Sequence, residues 1–273
     1  MSYYYLIAGL PDLRLGMDAQ KIDFEEVLDT IRRNLVPTDE KLFRYLLHPN
    51  DNRNLLNILF HTYKNFPKAA FLFPSIITEA VLQDYHRQRA VLPAYMSEFL
   101  DEYEDQFAAM PPRTIEAQLW RAFYEEAEKQ DAFINNYFQF DRCLKEIAAA
   151  YNASHFRFLT QPTSESDIAR GGLGKGRTVP TSLLREYPYI ELLGETIATY
   201  QPNQIEQLMD QLRWSYLEET TGFFGREQVF VYVVKLLIVI RWHRLVSSQE
   251  ESHFETIRLA INNQVQTSKS PTV

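Results

Sequence analysis

A long apolar stretch lies between Gln228 and Leu245 and reads QVFVYVVKLLIVIRWHRL. Every residue from Val229 to Ile240 is apolar except Lys235. A membrane-spanning helix needs about 20 apolar residues with few charges, whereas this run is shorter and carries a lysine near its middle. The pattern therefore predicts a helix buried on nearly all sides within the protein, with Lys235 directed to solvent or to a carboxylate.

Helical periodicity also dominates the N-terminal part of the chain. Asp23 and Glu26 have the spacing of a capping box, and apolar residues recur behind them every three or four positions. We expect Pro37 to end this helix, because proline interrupts the helical hydrogen bonds. Three helices are predicted next. Thr38 caps the first, the second runs from about Arg53 to Tyr63, and the third begins at Ser75.

The most regular pattern predicts a helix from Asp131 to Asn152. Its apolar residues alternate steps of four and three, which repeats every 3.5 residues and is typical of a helix–helix core contact. We call these residues the seam: Phe133, Tyr137, Phe140, Leu144, Ile147 and Tyr151. Similar stripes predict helices that open at Thr114, behind the Pro111–Pro112 break, and that run from Asn203 to about Glu219.

Strand signals are confined to Tyr3–Ala8 and His155–Leu159, so the sequence predicts an all-α, multi-lobed protein. The chain length allows one large core or two to three lobes, and lobes are expected at about 1–110, 111–200 and 201–265. Residues 266–273 are expected to form a disordered tail.

Composition narrows the classes of function. The formal net charge of −8 disfavours nucleic acid as the primary partner and an electrostatic grip on anionic lipid. The single cysteine, Cys143, excludes an intrachain disulfide and fits a cytoplasmic protein. Glu250 and His253 have the spacing of one half of a di-metal site, but the chain has no second such pair. We predict no metal, no cofactor and no catalytic residue.

Residues 163–180 are polar and rich in glycine, which predicts a flexible linker. The alternative is an anion-binding loop, because its backbone amides are accessible and basic side chains stand beside them. The loop lacks the phosphate-binding template, since Gly176 and not Ser or Thr follows Lys175. The residues of the alternative are Arg170, Gly172, Gly174, Lys175 and Arg177.

An acidic face is predicted on the helix that precedes Pro111. Its members are Glu98, Asp101, Glu102 and Asp105, with Glu104 beside them. Such a cluster is usually a solvated helix surface. The alternative is a docking surface for a basic partner.

Three segments carry a resemblance: YYYLIAGLPDL at the start, FDRCLKEIAAAYNA in the middle, and LRWSYLEETTGFFGREQVFVYVVKLLIVIRWHRL after it. In this order, from the first residues to about Thr256, the chain resembles an uncharacterised bacterial family encoded in operons for V-type (A/V-type) ATP synthases. That family is distantly similar to the C subunit of these ATPases, called d in eukaryotes, which is a helical funnel of three lobes.

The resemblance implies a non-catalytic component or accessory protein of the ATPase. Its partners would be the central stalk subunits and the membrane rotor ring, which it would couple. It would lie on the cytoplasmic side, peripheral to the membrane through the ATPase and without a span of its own. The alternatives are a transient assembly factor for the same ATPase, or a helical anion-binding protein or enzyme that uses the Gly171–Gly176 loop.

Overall fold

The computed structural model describes residues 3–17, 19–155, 193–196, 202–219 and 225–245. Within these ranges the chain is helical and contains no strand, which confirms the all-α class. Two short 3-10 turns, Arg89–Val91 and Glu104–Gln106, flank the fifth helix. The helices are α1 (Tyr4–Gly9), α2 (Phe24–Asn34), α3 (Pro37–Lys64), α4 (Glu79–Gln83), α5 (Ala94–Tyr103), α6 (Pro112–Ala127), α7 (Ala132–His155), α8 (Pro202–Glu219) and α9 (residues 226–245).

The structure tests one of the two predicted strands in full and only the first residue of the other. Tyr3–Ala8 is helical, and the Ile7 amide donates to the Tyr3 carbonyl oxygen at 2.9 Å, so that strand prediction was wrong. A short apolar run fits a strand or a helix equally well, and only its packing decides between them. In the second segment His155 is the last residue of α7, and 156–159 lie outside the described residues.

Helix starts follow local capping chemistry in two of the predicted places. The Glu26 amide donates to Asp23 Oδ1 at 3.0 Å, and the Ile134 amide donates to Asp131 Oδ1 at 3.1 Å. Each aspartate thereby satisfies one of the free amides of the first helical turn. The cap predicted at Thr38 was wrong. Pro37 is itself the first residue of α3, where its fixed φ suits the helix and its missing N–H costs nothing.

Helix α3 is a single element of 28 residues that continues through Pro49, where the sequence predicted two helices. A proline inside a helix removes one backbone hydrogen bond and crowds the preceding turn. Side chains that follow Pro49 hydrogen-bond the helix to the segment 72–77. At about 1.5 Å per residue α3 spans roughly 42 Å. It ends at Asn65, whose φ of 55° is the left-handed conformation usual at a helix C-terminus.

The segment after α3 is held by polar side chains of that helix. Asp51 is fully buried, and its Oδ1 accepts hydrogen bonds from the amides of Ile76 and Ile77 at 3.0 and 3.1 Å and from the Ser75 hydroxyl. Its Oδ2 lies 3.0 Å from His48 Nδ1. The prediction that Ser75 begins a helix was therefore wrong. Ser75 serves as a partner of Asp51, and α4 begins later, behind Thr78, which caps it.

Contacts group the chain into two compact units. One comprises Met1–Asn34 with Phe223–Val273, and the other comprises Leu35–Gly222. In this grouping the N-terminal residues belong with the C-terminal ones and not with α3. The three consecutive lobes stay a prediction.

The larger unit is built on contacts among α3, α5, α6 and α7. Its core is rich in aromatic side chains, and the rings of Phe123 and Phe138 meet edge to face at 4.9 Å between centroids, a favoured arrangement. The side chains with no exposed surface include Phe43, Leu55, Leu59, Met96, Leu100, Phe107, Ile115, Leu119, Phe123 and Ile134.

In the smaller unit α9 is buried along most of its apolar run from Val229 to Ile240, as its composition predicted, and is less buried on either side of that run. The residues below a tenth of exposure are Val229, Phe230, Val231, Val233, Val234, Leu236, Ile238, Val239 and Ile240. The Tyr232 hydroxyl donates to the Pro11 carbonyl oxygen at 3.0 Å, and the His243 ring lies 5.7 Å from the Phe24 ring. Lys235 is half-buried, and the direction of its ammonium stays a prediction. Across the described ranges no helix has the length and apolar character needed to span a membrane.

Candidate functional site

The seam of α7 packs against α8. Tyr137, Phe140, Leu144 and Ile147 are all buried, which confirms the central part of the predicted pattern. Phe133 is half-buried, and the side chain of Tyr151 lies outside the described residues. The Phe140 and Tyr216 rings stack at 4.1 Å with 6° between their planes. The apolar cluster comprises Phe140, Leu144, Ile147, Ala148, Leu193, Leu208, Met209 and Leu212.

A network of charged groups lies at this apolar contact, centred on Asp141 of α7. Asp141 is 5% exposed, and its Oδ1 accepts a hydrogen bond from Nε of Arg213 on α8 at 2.9 Å. Nη2 of the same arginine forms an ion pair with this oxygen at 2.8 Å. Arg213 Nη1 donates to Asp210 Oδ1 at 2.8 Å, one turn away on the same helix. One guanidinium therefore joins a carboxylate of α7 to a carboxylate of α8.

The second oxygen of Asp141 joins α7 to α6. Asp141 Oδ2 accepts from the Tyr124 hydroxyl at 2.7 Å and lies 2.9 Å from Lys145 Nζ. Lys145 also donates to the Tyr124 oxygen at 2.8 Å and stands over the Trp120 ring at 4.1 Å from its centroid. The Lys145 side chain is 34% exposed, so the network reaches solvent at this residue. We call these side chains the clamp: Tyr124, Asp141, Lys145, Asp210 and Arg213.

Mutual electrostatics fix the charge state of the clamp. Burial alone would raise the pKa of Asp141, but Lys145 and Arg213 hold that pKa well below its usual range. Burial acts to lower the pKa of Arg213, and the carboxylates of Asp141 and Asp210 outweigh it and raise that pKa. Burial lowers the pKa of Lys145, an effect that Asp141 opposes. Burial also raises the pKa of Tyr124 well above its usual value.

At neutral pH Asp141 and Arg213 are therefore charged and the Tyr124 phenol is neutral, so acidic and basic groups face each other in the clamp. Every carboxylate oxygen of Asp141 is engaged, and the guanidinium is shared between two acids. Such a balanced arrangement suits the fixing of helices more than proton transfer, which needs a group free to gain or lose a proton near neutral pH.

The acidic face lies where the sequence predicted it. Glu98, Asp101 and Glu102 are on α5, Asp105 follows in the next turn, and all four are exposed. Asp101 Oδ1 lies 3.3 Å from Arg89 Nε. The structure thus confirms the solvated surface, and its use as a docking surface stays a prediction.

The remaining sequence candidates fall elsewhere. The anion-loop residues Arg170, Gly172, Gly174, Lys175 and Arg177 lie outside the described residues, as do Glu250 and His253. Among the residues that the structure describes, no group of three or more His, Cys, Asp or Glu side chains is placed to hold a metal ion. Cys143 is half-buried and packs against the α7–α8 cluster.

A shallow groove of about 230 Å³ opens between α3, the segment 68–71 and α4. Asn57, Ile58 and Phe71 are among the residues that line it. Lys68 and Glu79 pair at 3.2 Å on the same groove.

Sequence reasoning missed the clamp. Asp141 and Lys145 are four residues apart and lie one position from the seam residues Phe140 and Leu144. Arg213 follows Leu212 in the same way. Charged residues that border an apolar helical stripe on both of two contacting helices are the signal that could have found it, although the contact itself cannot be read from one helix.

Helices packed around a buried clamp of acidic and basic groups define an all-α protein with a fixed interhelical contact. Residues 1–265 match the family model described as "Protein of unknown function (DUF2764)", and the chain belongs to this family. Comparison with curated proteins and with solved structures finds no match.

Proposed function

We propose that the chain is a non-catalytic helical component of a V-type rotary ATPase, in the position of the C subunit, where it couples the central stalk to the membrane rotor ring. The proposal begins from the resemblance of its N-terminal, central and C-terminal segments to the family encoded in V-type ATP synthase operons. Its location would then be the cytoplasmic face of the membrane, reached through the other subunits.

The observation that carries a mechanical role is the clamp. A part that transmits torque must keep its helices in one arrangement under load. Arg213 and Asp141 join α8 to α7, and Tyr124 and Lys145 join α7 to α6. These directional bonds add to the apolar contacts, which restrict sliding much less because they have no preferred direction. The helices α3 and α7, of 28 and 24 residues, extend the same unit.

The test is purification of the ATPase from native membranes through a tag on another of its proteins. We expect this chain to remain in the intact complex at a constant ratio. Consistent absence from an otherwise intact complex would contradict the proposal. Recovery below stoichiometry, and only with incomplete complexes, would instead identify an assembly factor.

A matched comparison uses the chain with Arg213→Met beside the chain with Arg121→Met. Arg121 is an exposed residue of α6 in a loose pair with Glu125 at 3.8 Å. If coupling depends on the clamp, ATP-driven ion transport should fall relative to ATP hydrolysis in the Arg213 variant only. Equal coupling in both variants would remove the mechanical role of the clamp.

A further inference from the structure

The contact between α7 and α8 raises the question of what prevents the two helices from sliding. Both carry apolar side chains at nearly every turn. On α7 they are Tyr137, Phe140, Leu144 and Ile147, and on α8 they are Ile205, Leu208, Met209, Leu212, Tyr216 and Leu217. A shift of one helical turn would again place apolar residues against apolar residues. Apolar packing alone therefore distinguishes poorly between neighbouring registers.

The charged residues behave differently under the same shift. A displacement by four residues along α8 would bring Met209 or Leu217 opposite Asp141 in place of Arg213. Both are buried, at 6% and 0% exposure, and neither can accept or donate a hydrogen bond of use to a carboxylate. Asp141 would then keep Tyr124 and Lys145 at its Oδ2 but lose Arg213 at its buried Oδ1, which is unfavourable because that oxygen would face only apolar side chains.

Arg213 would keep Asp210, which lies on its own helix, but would lose Asp141. The same displacement along α7 would bring it opposite Tyr137 or Lys145, which are one turn before and one turn after Asp141. The first offers a neutral phenol, which can accept a hydrogen bond but carries no balancing charge, and the second offers a charge of the same sign. Neither neighbouring register provides a carboxylate of α7 for the guanidinium.

We propose that the clamp is a register lock, whose role is to exclude the shifted packings of α8 on α7 and not to add stability to the observed one. Buried ion pairs often contribute no more stability than apolar side chains of similar volume, and specifying one arrangement is their best-attested use. This inference concerns the chain alone and does not depend on a role in an ATPase.

The experiment measures the register directly. Spin labels are placed at Gln139→Cys on α7 and Gln207→Cys on α8, both exposed positions, after Cys143→Ala removes the one native cysteine. Pulsed electron paramagnetic resonance then gives the distribution of label-to-label distances. The test chain replaces the whole clamp with apolar residues: Tyr124→Phe, Asp141→Leu, Lys145→Met, Asp210→Leu and Arg213→Met.

With the clamp intact we expect one narrow distance distribution. In the apolar chain we expect a folded helical protein, seen by circular dichroism, with a second population displaced along the helix by about 5 Å, the rise of one turn. The urea midpoint of the apolar chain should equal or exceed that of the parent chain. A single narrow distribution at the parent distance in the folded apolar chain would overturn the proposal.

If the apolar chain does not fold, the milder variant Arg213→Lys tests the register lock instead. Lysine keeps the charge but lacks the fork that reaches Asp141 and Asp210 together. We expect a broader distance distribution than in the parent, and no broadening in the control Arg121→Lys. An unchanged distribution in Arg213→Lys would then overturn the register lock.

Discussion

Arg213 binds Asp141 with two nitrogens on a single carboxylate oxygen, Nε at 2.9 Å and Nη2 at 2.8 Å. The third guanidinium nitrogen, Nη1, is thereby left to reach Asp210 on its own helix at 2.8 Å. The planar guanidinium therefore contacts a carboxylate on each of its two edges, Asp141 on one and Asp210 on the other, which the single ammonium of lysine cannot do. This one side chain thus determines how α8 meets α7, with measurable effects on stability.

Removing the guanidinium should destabilise the larger unit. Arg213→Met leaves Asp141 and Asp210 buried with fewer compensating charges, and breaking a buried pair in this way costs about 3–5 kcal/mol. The measurement is the free energy of unfolding from urea denaturation followed by circular dichroism. Arg121→Met, on the exposed surface of α6, should change it by no more than about 0.5 kcal/mol. Equal losses in the two variants would contradict the assignment.

The clamp should also shape stability in acid. Lys145 and Arg213 hold the pKa of Asp141 below its unfolded value despite burial. For a carboxyl group with a depressed pKa, the stabilisation is complete above the unfolded pKa of about 3.9 and is lost as the pH falls below it. Asp141→Asn should therefore flatten the decline of the unfolding free energy below about pH 4. If the unfolding free energy of Asp141→Asn declined as steeply as that of the parent chain, titration of Asp141 would not be the cause of the acid instability.

At alkaline pH, stability is lost through groups whose pKa is raised on folding, and Tyr45 is one of them. Burial, aided by the neighbouring carboxylate of Glu126, raises the pKa of Tyr45 to about 12. A tyrosine with a raised pKa contributes its stabilisation fully below the unfolded value of about 10, and loses it as the pH rises towards the folded value. Tyr45→Phe should thus reduce the loss of stability between about pH 10 and 12, measured as urea midpoints. Tyr5→Phe, at a side chain 90% exposed, should leave the slope unchanged.

The segment after α3 should loosen when Asn54 is shortened. Asn54 donates to the Leu72 carbonyl oxygen at 3.0 Å and accepts from the Leu72 amide at 2.7 Å. Asn54→Ala removes both hydrogen bonds and should cost about 1–3 kcal/mol. Hydrogen exchange should show lost protection at the Leu72 amide, while Asn57→Ala, one turn along the same helix, leaves it protected. Retained protection in Asn54→Ala would show that another contact holds the segment.

The acidic face yields a prediction about partners. Glu98, Glu102 and Asp105 are exposed, whereas Asp101 is engaged by Arg89. If a basic partner docks there, replacing the first three with lysine should abolish co-purification at low salt, because like charges then face each other. Lysine at Glu116, Glu125 and Glu219, which are also exposed acids, provides a control of equal charge. Equal retention of the partner by both triple variants would reduce the face to a solvated surface.

Helix content could be predicted because its signals are local. Asp23 caps a helix as its spacing to Glu26 indicates, the predicted helix start at Asp131 is capped by that residue, and the seam of α7 is buried at its centre. The errors arose where distant contacts outweigh local preference. Helix α3 continues through Pro49, side chains beyond it bind the segment 72–77, and Ser75 serves a carboxylate 24 positions earlier in the chain.

The clamp itself could not be predicted for the same reason. Asp141 and Arg213 are 72 positions apart, and each alone looks like an ordinary charged residue beside an apolar stripe. Only the packing of α8 on α7 gives their side chains a common environment. The acidic face was predictable because its members lie within two turns of one helix and the turn that follows it.

The bond between Tyr232 and Pro11 joins residues 221 positions apart, within a unit made from the two ends of the chain. During translation the N-terminal residues must therefore wait for α9 to leave the ribosome, roughly 10–45 s at usual elongation rates. For that time Phe24 of α2 lacks the ring of His243 that it contacts in the folded unit. Chaperone demand should accordingly concentrate on the nascent N-terminus, and a circular permutant that synthesises the two ends consecutively should need less of it.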